Sequence, residues 1–359
     1  MKYLFVNASL TDGGSEKVMV ILANRFADSG LDTSMLLLRE KKASNYKVSS
    51  KLKCCQLKYG KYKTFIILKR FIMTRKYIKK LNPDVIISFM WDINVFTLLA
   101  CLGLHKRVII SERAHPKDGI NNKLRKACRE LGQRYIYLLA DRIILQTEQV
   151  RKYYRLAIQR KCIVIPNPIS PNLPEIWDYE REKKVVAAGR FTPQKNFQML
   201  IRAFAAFHEK HPEYELVIYG EGSLRAEYTK LIEELGINDF VSLPGYILDV
   251  SEKMCMAAIY VSTSDFEGIS NSMLEALAMG IPSICTDCPV GGAAMAIENG
   301  VNGILIPIGA EERLSEALTN IANNRDYAME LSRNAIKIRD KLSLDMVFEC
   351  WKGVIKALI

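Results

Sequence analysis

Short apolar runs alternate with longer segments of helical periodicity along the whole chain. Strands interleaved with helices in this way are typical of parallel sheets that carry helices on both faces. The pattern therefore predicts an α/β fold. The first half predicts helices over 16–28 and 94–104, and strands over 3–7, 33–38, 85–89, 108–111, 142–146 and 162–165. The second half predicts strands at residue 185 and over 216–219, 241–243, 259–262 and 283–286.

A proline cluster separates the two halves. Pro166, Pro168, Pro171 and Pro174 interrupt both helices and strands, so they mark a linker. We expect one doubly wound domain over 1–167 and a second over 168–343, and 359 residues are ample for two cores. The apolar segment 344–359 is expected to form a helix that packs back onto the first domain. Ligands of such folds lie beyond the carboxyl ends of the strands.

Two glutamates, Glu267 and Glu275, stand eight positions apart around a predicted helix start. Gly268 permits close approach of the backbone, and Ser270 is a suitable N-cap for a helix over 271–279. The exposed N–H groups of a helix start bind phosphate, and nearby carboxylates accept hydrogen bonds from sugar hydroxyls. The alternative is that both glutamates are ordinary solvated charges.

A second polar loop follows the strand at residue 185. It carries Arg190 and Lys195 before a predicted helix over 197–208. A guanidinium fork and a mobile ammonium suit a diphosphate, although a solvated turn with surface ion pairs has the same composition. Taken together, the two loops predict one site for a sugar nucleotide.

At these motifs the chain resembles the retaining glycosyltransferases of family 4, also called group 1, which have the GT-B architecture of two Rossmann-like domains facing across a cleft. The resemblance rests on Gly189-Arg190 with Lys195-Asn196, on Glu267 to Glu275, on the segments 276–289 and 300–307, and on the glycine-rich segment 12–18. It spans nearly the whole chain, and its specific part is the second half.

The resemblance assigns roles within the second half. Arg190 and Lys195 would contact the donor diphosphate, Glu275 would hold the ribose, and Glu267 would face the sugar. Further donor contacts are expected from Gly268, Ile269 and Ser270, from Gly220 as a wall, and from Tyr246 and Ile247 beside the base. The resemblance also implies a metal-independent hexosyltransferase with no cofactor, for which a UDP-linked hexose or N-acetylhexosamine is the donor.

Candidate residues of the first half lie at two strand ends. Gly13 and Gly14 precede a helix and would bring backbone amides to the donor, or they form only a tight turn. Glu112 follows a strand at the place where many relatives have a histidine, and His115 lies three residues later. Either residue is a candidate to face the reacting centre.

The net charge of +12 is unevenly distributed. Residues 1–170 contain 33 Lys and Arg against 12 Asp and Glu, whereas residues 171–359 contain 18 against 27. Segment 41–80 has 14 basic residues and no acidic one, interleaved with aromatic and aliphatic positions. Such a segment favours binding to an anionic membrane surface, since each suitably placed cation contributes about 1 kcal/mol of binding free energy. A solvated basic helix or a nucleic-acid surface has a similar composition.

We expect the protein to lie peripherally on the inner, cytoplasmic face of the plasma membrane, with a lipid-linked glycan as its acceptor and no nucleic-acid partner. No apolar run approaches the roughly 18 residues of a spanning helix, and Met1 to Val6 make a poor secretory signal. Nine scattered cysteines favour a reducing compartment. Cys285 and Cys288 lack a second ligand pair, so no zinc site is predicted.

Three functions remain open from the sequence. The first is retaining glycosyl transfer in cell-surface polysaccharide assembly. The second is epimerisation or hydrolysis of a sugar nucleotide on the same scaffold. The third is noncatalytic binding of nucleic acid by the basic first half.

Overall fold

The computed structural model describes residues 1–10, 13–39, 46–58, 66–113, 122–177 and 179–358. The chain divides into two compact units, Met1–Pro168 with Leu344–Ile359, and Ile169–Ser343. The boundary inferred from the proline cluster lies one residue earlier. Within the described residues, no helix is both long enough and apolar enough to cross a membrane.

Each unit is built on one parallel sheet. In the described residues of the first unit the strand order is β3-β2-β1-β4-β5-β6-β7, and in those of the second it is β10-β9-β8-β11-β12-β13. The strands are β1 (Lys2–Asn7), β2 (Asp32–Leu37), β3 (Lys53–Gln56), β4 (Val85–Phe89), β5 (Arg107–Ser111), β6 (Arg142–Leu145), β7 (Cys162–Val164), β8 (Glu182–Ala188), β9 (Glu215–Tyr219), β10 (Val241–Gly245), β11 (Ala257–Ser262), β12 (Ser283–Thr286) and β13 (Ile304–Ile306).

Helices connect most of the successive strands and cover both faces of each sheet. They are α1 (Gly14–Asp28), α2 (Ile66–Leu81), α3 (Trp91–Cys101), α4 (Lys123–Tyr135), α5 (Glu148–Arg151), α6 (Leu156–Gln159), α7 (Phe197–His208), α8 (Arg225–Glu234), α9 (Val250–Met254), α10 (Asn271–Ala278), α11 (Gly292–Ala296), α12 (Glu311–Asn323), α13 (Arg325–Ile336), α14 (Ile338–Lys341) and α15 (Leu344–Lys356). The prediction of an α/β fold with two Rossmann-like sheets is confirmed.

The alternation of strand side chains explains why both faces of each sheet are covered. In β8, Val185 and Ala187 pack into one core, whereas Val186 between them packs into the core on the opposite face. In the first unit, Phe5 of β1 packs with Phe348 and Trp351 of α15. The final helix is therefore part of the first unit.

The strand order reverses beside the first strand of each unit, between β1 and β4 and between β8 and β11. Chain connections leave in opposite directions at such a point, and a crevice opens at the carboxyl ends of the strands. The loops after β8 and β11 contain the polar motifs of the second half, and the fold thus places them at this crevice.

Candidate functional site

Two loops at the reversal point of the second sheet are joined by hydrogen bonds. The Asp265 amide donates to the Gln194 carbonyl, and the Gln194 side-chain amide donates to the Phe266 carbonyl, both at 2.9 Å. The Thr263 hydroxyl donates to the Lys195 carbonyl, also at 2.9 Å. The loop after β8 and the loop after β11 are therefore joined directly to each other.

Lys195 and Glu267 meet across these loops. The Lys195 ammonium forms an ion pair with Glu267 Oε2, and the Ser264 hydroxyl donates to the same oxygen at 3.1 Å. The two side chains are 15% and 22% exposed, which shields their attraction from water more than at a fully solvated pair. The sequence indicated both residues but not their pairing.

Arg190 lies on the same loop, and its side chain is exposed. In the part of the chain that the structure describes, it forms no ion pair, so its guanidinium is available to an anion at the crevice. Gly189 beside it lets the Lys195 side chain cross the backbone, because a Cβ there would lie 3.0 Å from Lys195 Cε.

Gly220 supports this loop from the end of β9. Its φ of +154° lies in the region that favours glycine, and a Cβ there would come within 1.8 Å of the Gly189 carbonyl oxygen. Gly220 thus has a packing function, and its predicted donor contact stays a prediction.

Asn196 joins the loop to helix α7. It has a φ of +44°, which asparagine tolerates better than most residues, and its side-chain oxygen accepts the Met199 amide at 3.4 Å. Its side-chain amide donates to Asp265 Oδ1 at 2.8 Å. One residue therefore caps α7 and ties it to the loop that carries Glu267.

Helix α10 begins at the same edge, as the sequence predicted. Ser270 is the N-cap and accepts the Met273 amide at 3.4 Å. The Ser270 and Ser272 hydroxyls are 3.0 Å apart, and Ser272 in turn lies 2.9 Å from the Tyr260 hydroxyl. The start of α10 is thus fixed to strand β11.

The approach of α11 to the α10 start depends on Gly292. A Cβ at this residue would lie 1.5 Å from the Gly268 carbonyl oxygen and 3.1 Å from the Ile269 amide nitrogen. A small opening lies beside this contact, bounded by Glu267, Gly268 and Ser270 among others.

Glu275 lies within α10 and is only 3% exposed. The carboxyl end of its helix is held by two arginines that sequence reasoning missed. Arg181 donates to the Gly280 carbonyl at 2.8 Å, and Arg339 donates to the Ala278 carbonyl at 2.5 Å. Positive groups suit this end of the helix dipole, but no local motif distinguishes such arginines from surface residues.

Tyr246 and Ile247 follow the end of β10. Tyr246 is exposed and Ile247 is half-buried. Their place at the carboxyl edge agrees with the expected position, whereas their contact with a base stays a prediction.

The prediction that Glu112 is a candidate to face the reacting centre needs correction. The Glu112 side chain points into the interior of the first unit. Its carboxylate accepts hydrogen bonds from Asn94 at 3.0 Å, Gln133 at 3.3 Å, Tyr154 at 3.5 Å and the Tyr137 hydroxyl. Burial raises its pKa from 4.5 to about 7, although the hydrogen bonds from Tyr137, Asn94 and Gln133 oppose the shift. A side chain enclosed in this way does not face a reacting sugar, and we assign Glu112 a structural role.

The other candidates of the first unit are Gly13, Gly14 and His115. Gly13 is the N-cap of α1, which begins at Gly14, two residues before the predicted start. A Cβ at Gly13 would lie 2.2 Å from Glu16 Oε2, so the Glu16 carboxylate lies against this turn. His115 lies outside the described residues, as does Asp12.

The cysteines at the end of β12 are buried. Burial raises the pKa of Cys288 to about 11 and that of Cys285 further. Within the described ranges, no group of three or more His, Cys, Asp or Glu is arranged to hold a metal ion.

Two family models match the chain in succession. "Glycosyltransferase Family 4" matches residues 12–173, and "Glycosyl transferases group 1" matches residues 172–338. Together they cover most of the chain, including both loops of the second unit.

Characterised relatives match over almost their full length. A Campylobacter jejuni α-1,4-N-acetyl-D-galactosaminyltransferase, named for the acceptor GalNAc-α-(1→4)-GalNAc-α-(1→3)-diNAcBac-PP-undecaprenol, is 26% identical over 99% of this chain and 98% of its own. A second enzyme of that organism, N-acetylgalactosamine-N,N′-diacetylbacillosaminyl-diphospho-undecaprenol 4-α-N-acetylgalactosaminyltransferase, is 26% identical over 93% of each chain.

Among solved structures, Anabaena HepE in complex with UDP-glucose superposes with a TM-score of 0.80 at 17% identity, over 99% of this chain and 100% of its own. At this identity the likeness concerns the fold. The two family models and the shared fold agree, and the chain belongs to the group 1, family 4 glycosyltransferases.

Proposed function

We propose that the protein is a hexosyltransferase that moves a hexose or N-acetylhexosamine from a UDP-sugar to a lipid-linked glycan, with retention of anomeric configuration. The observation that carries this proposal is the Lys195–Glu267 ion pair beside Arg190 and the start of α10. The site combines cations for a diphosphate with a carboxylate for sugar hydroxyls, within two loops that are hydrogen-bonded to each other.

The pairing of Lys195 with Glu267 suggests how the donor enters. The incoming diphosphate competes with Glu267 for the ammonium, and the released carboxylate becomes free to accept hydrogen bonds from the sugar. Arg190 adds the second cation, and the amides of Gly268, Ile269 and Ser270 add N–H donors. Fixed positive groups stabilise the charge that develops on the leaving diphosphate, so the proposed reaction needs no metal ion.

Glu275 is proposed to hold the ribose, at the inner side of the same helix. Its burial within α10 and the two arginines at the end of that helix support a fixed position. A rigid acceptor for ribose hydroxyls would orient the nucleotide before transfer.

The donor and acceptor classes are supported by the relatives. HepE was solved with UDP-glucose, and the two Campylobacter enzymes are named for undecaprenol-linked acceptors. Nothing in their names selects the sugar that this chain transfers, so the donor class is proposed only as UDP-hexose or UDP-N-acetylhexosamine.

The proposed contact with an anionic membrane is supported by α2. Ile67, Leu68 and Ile72 are exposed on this helix, which has no acidic residue in its first turn and ends with Lys79 and Lys80. Apolar and basic side chains on one helix suit an anionic lipid interface. Part of the basic segment 41–80, including Tyr59, Tyr62 and Phe65, lies outside the described residues.

The test is a transfer assay with a panel of UDP-sugars and an undecaprenyl diphosphate-linked glycan, followed by NMR of the product. The proposal expects one donor to give an α-linked product, which retains the configuration of the α-linked donor. A β-linked product would contradict retention. Free sugar or an epimer formed at the same rate without acceptor would contradict transfer itself.

A further inference from the structure

Three side chains of the first unit bury N–H donors that have no acceptor among the residues that the structure describes. They are the Nε and Nη2 groups of Arg113, the Nδ2 group of Asn7 and the Nε1 group of Trp351. The residues are 9%, 1% and 0% exposed. Buried donors without a partner are rare in folded proteins, because each has lost its hydrogen bonds to water.

The three residues that carry these donors are neighbours of Phe89. The Arg113 guanidinium carbon is 4.5 Å from the Phe89 ring centroid and 6.0 Å from that of Trp351, and the two rings stack at 6.0 Å. Val6 pairs with Ser88 in parallel register, so the next residues, Asn7 and Phe89, lie side by side and project to the same face. Asn7 and Phe89 both end their strands.

Arg113 lacks a countercharge. One of its nitrogens donates to Asn167 Oδ1 at 2.6 Å, and that oxygen also accepts from Gln146 at 2.8 Å. In the described ranges Arg113 has no carboxylate within ion-pair distance, and burial alone lowers its pKa to about 9. The neighbouring Glu112 does not serve, because its carboxylate is enclosed by Asn94, Gln133, Tyr137 and Tyr154.

Every unpaired group in this cluster is a donor, and two of them belong to the charged guanidinium of Arg113. A water molecule would satisfy some of the hydrogen bonds but would leave the cation uncompensated, and a buried unpaired charge is more costly than a buried dipole. An oxyanion satisfies both requirements. Donors that come from three separate side chains suit the several oxygens of a tetrahedral group better than the two oxygens of a planar carboxylate.

We propose that Arg113, Asn7 and Trp351 form a subsite in the first unit for a phosphate-type oxyanion. It lies at the carboxyl edge of the first sheet, on the face covered by α1 and α15. The inference rests on the first unit alone and stands whether or not the donor assignment in the second unit is correct.

The experiment uses the full chain carrying Arg190→Gln and Lys195→Gln, which removes the cations proposed to bind phosphate in the second unit. Thermal unfolding of this parent is followed against inorganic phosphate, with and without Arg113→Met. The proposal expects phosphate to raise the melting temperature of the parent by mass action. Arg113→Met should weaken the apparent phosphate affinity at least tenfold and should not lower the melting temperature in phosphate-free buffer, because it removes an uncompensated charge.

The matched control is Arg129→Met. Arg129 is also buried, but it lies near Glu112 and lowers the pKa of that carboxyl. Its replacement should reduce stability and leave the phosphate response unchanged. A phosphate response that is absent from the parent, or that persists unchanged after Arg113→Met, would overturn the proposal.

Two further ligands show whether the oxyanion belongs to the donor or to the acceptor. UDP and geranyl diphosphate are titrated into the same pair of proteins. If Arg113→Met weakens only UDP, the oxyanion belongs to the donor; if it weakens only geranyl diphosphate, it belongs to a lipid-linked acceptor. Should the Arg113→Met variant not fold, a tungstate soak of crystals of the unmodified protein decides: tungstate within hydrogen-bonding distance of Arg113 Nε supports the subsite, and water alone at that place refutes it.

Discussion

The carboxyl edges of the two sheets differ in whether their charged side chains are paired with each other. In the second unit, Lys195 and Glu267 come from different loops and neutralise each other. In the first unit, Glu112 and Arg113 are neighbours in the chain, yet the carboxylate collects four neutral donors while the guanidinium faces Phe89 and Trp351. The strand geometry explains this separation, because successive side chains in an extended backbone point to opposite faces.

The two edges therefore differ in how each would bind an anionic ligand. At the second edge the proposed diphosphate would have to open an existing ion pair, that of Lys195 with Glu267. At the first edge Arg113 forms no ion pair with any described residue. One edge is therefore expected to exchange partners on binding, and the other to gain one.

The largest effect is expected from loss of the Lys195 cation. Lys195→Ala should reduce kcat/KM for glycosyl transfer by about 10²–10³-fold, as removal of one group that stabilises transition-state charge commonly does. The control is Lys230→Ala, which removes an exposed lysine that pairs with Glu234 on α8. Steady-state kinetics with both variants, with circular dichroism to verify folding, checks the prediction. Equal rates in the two variants would place the diphosphate elsewhere.

The buried carboxyl of Glu112 should make stability depend on pH. Its pKa is about 7 in the folded state and 4.5 without burial, so the folded state holds the extra proton between these values. The free energy of unfolding should therefore fall as the pH rises from about 4.5 to 7, by up to about 3 kcal/mol from this group. Glu112→Gln should flatten that slope in denaturant titrations at several pH values. An unchanged slope would mean that Glu112 is ionised throughout.

The contact between α11 and the start of α10 should tolerate no side chain. Gly292→Ala would place a methyl group on the Gly268 carbonyl and should cost about 1–3 kcal/mol through displacement of that loop. Donor affinity should fall as well, because the same loop carries the proposed amides. Gly353→Ala, where a Cβ meets open space, is the matched control. Chemical denaturation and UDP titration measure both effects, and full stability in the Gly292→Ala variant would refute the close contact.

The smallest effect is expected on the affinity for UDP, which should change in the opposite direction to the rate of glycosyl transfer. Glu267→Gln removes the competitor for Lys195, so UDP without sugar should bind roughly 3–10-fold more tightly, in line with a modest, partly shielded ion pair. Transfer should nevertheless fall, because the carboxylate proposed to accept the sugar hydroxyls is gone. Isothermal titration with UDP and turnover measurements with the UDP-sugar test the two statements separately. Weaker UDP binding would show that Glu267 does not compete for Lys195.

The sequence predicted what depends on local pattern. Apolar alternation located most strands, and Ser270 with the helix formers after it located the start of α10. The sequence also predicted that Arg190, Lys195 and Glu267 lie at one edge of the sheet, because the loops of neighbouring parallel strands converge there.

What the sequence missed depends on contacts between distant segments. Arg181 and Arg339 hold the end of α10 from positions with no motif of their own. The position of Glu112 at a strand end suggested exposure, whereas α3, α4 and Tyr154 enclose its side chain. The cluster of unpaired donors of Arg113, Asn7 and Trp351 could not be predicted, because it forms only where three segments distant in sequence pack together.

The most direct test of the donor site is a crystal structure of the protein with a bound UDP-sugar. We expect the diphosphate at the loops after β8 and β11, with phosphate oxygens about 3 Å from the Arg190 and Lys195 nitrogens and the Lys195–Glu267 pair opened. A diphosphate bound away from both cations, with that ion pair intact, would contradict this expectation.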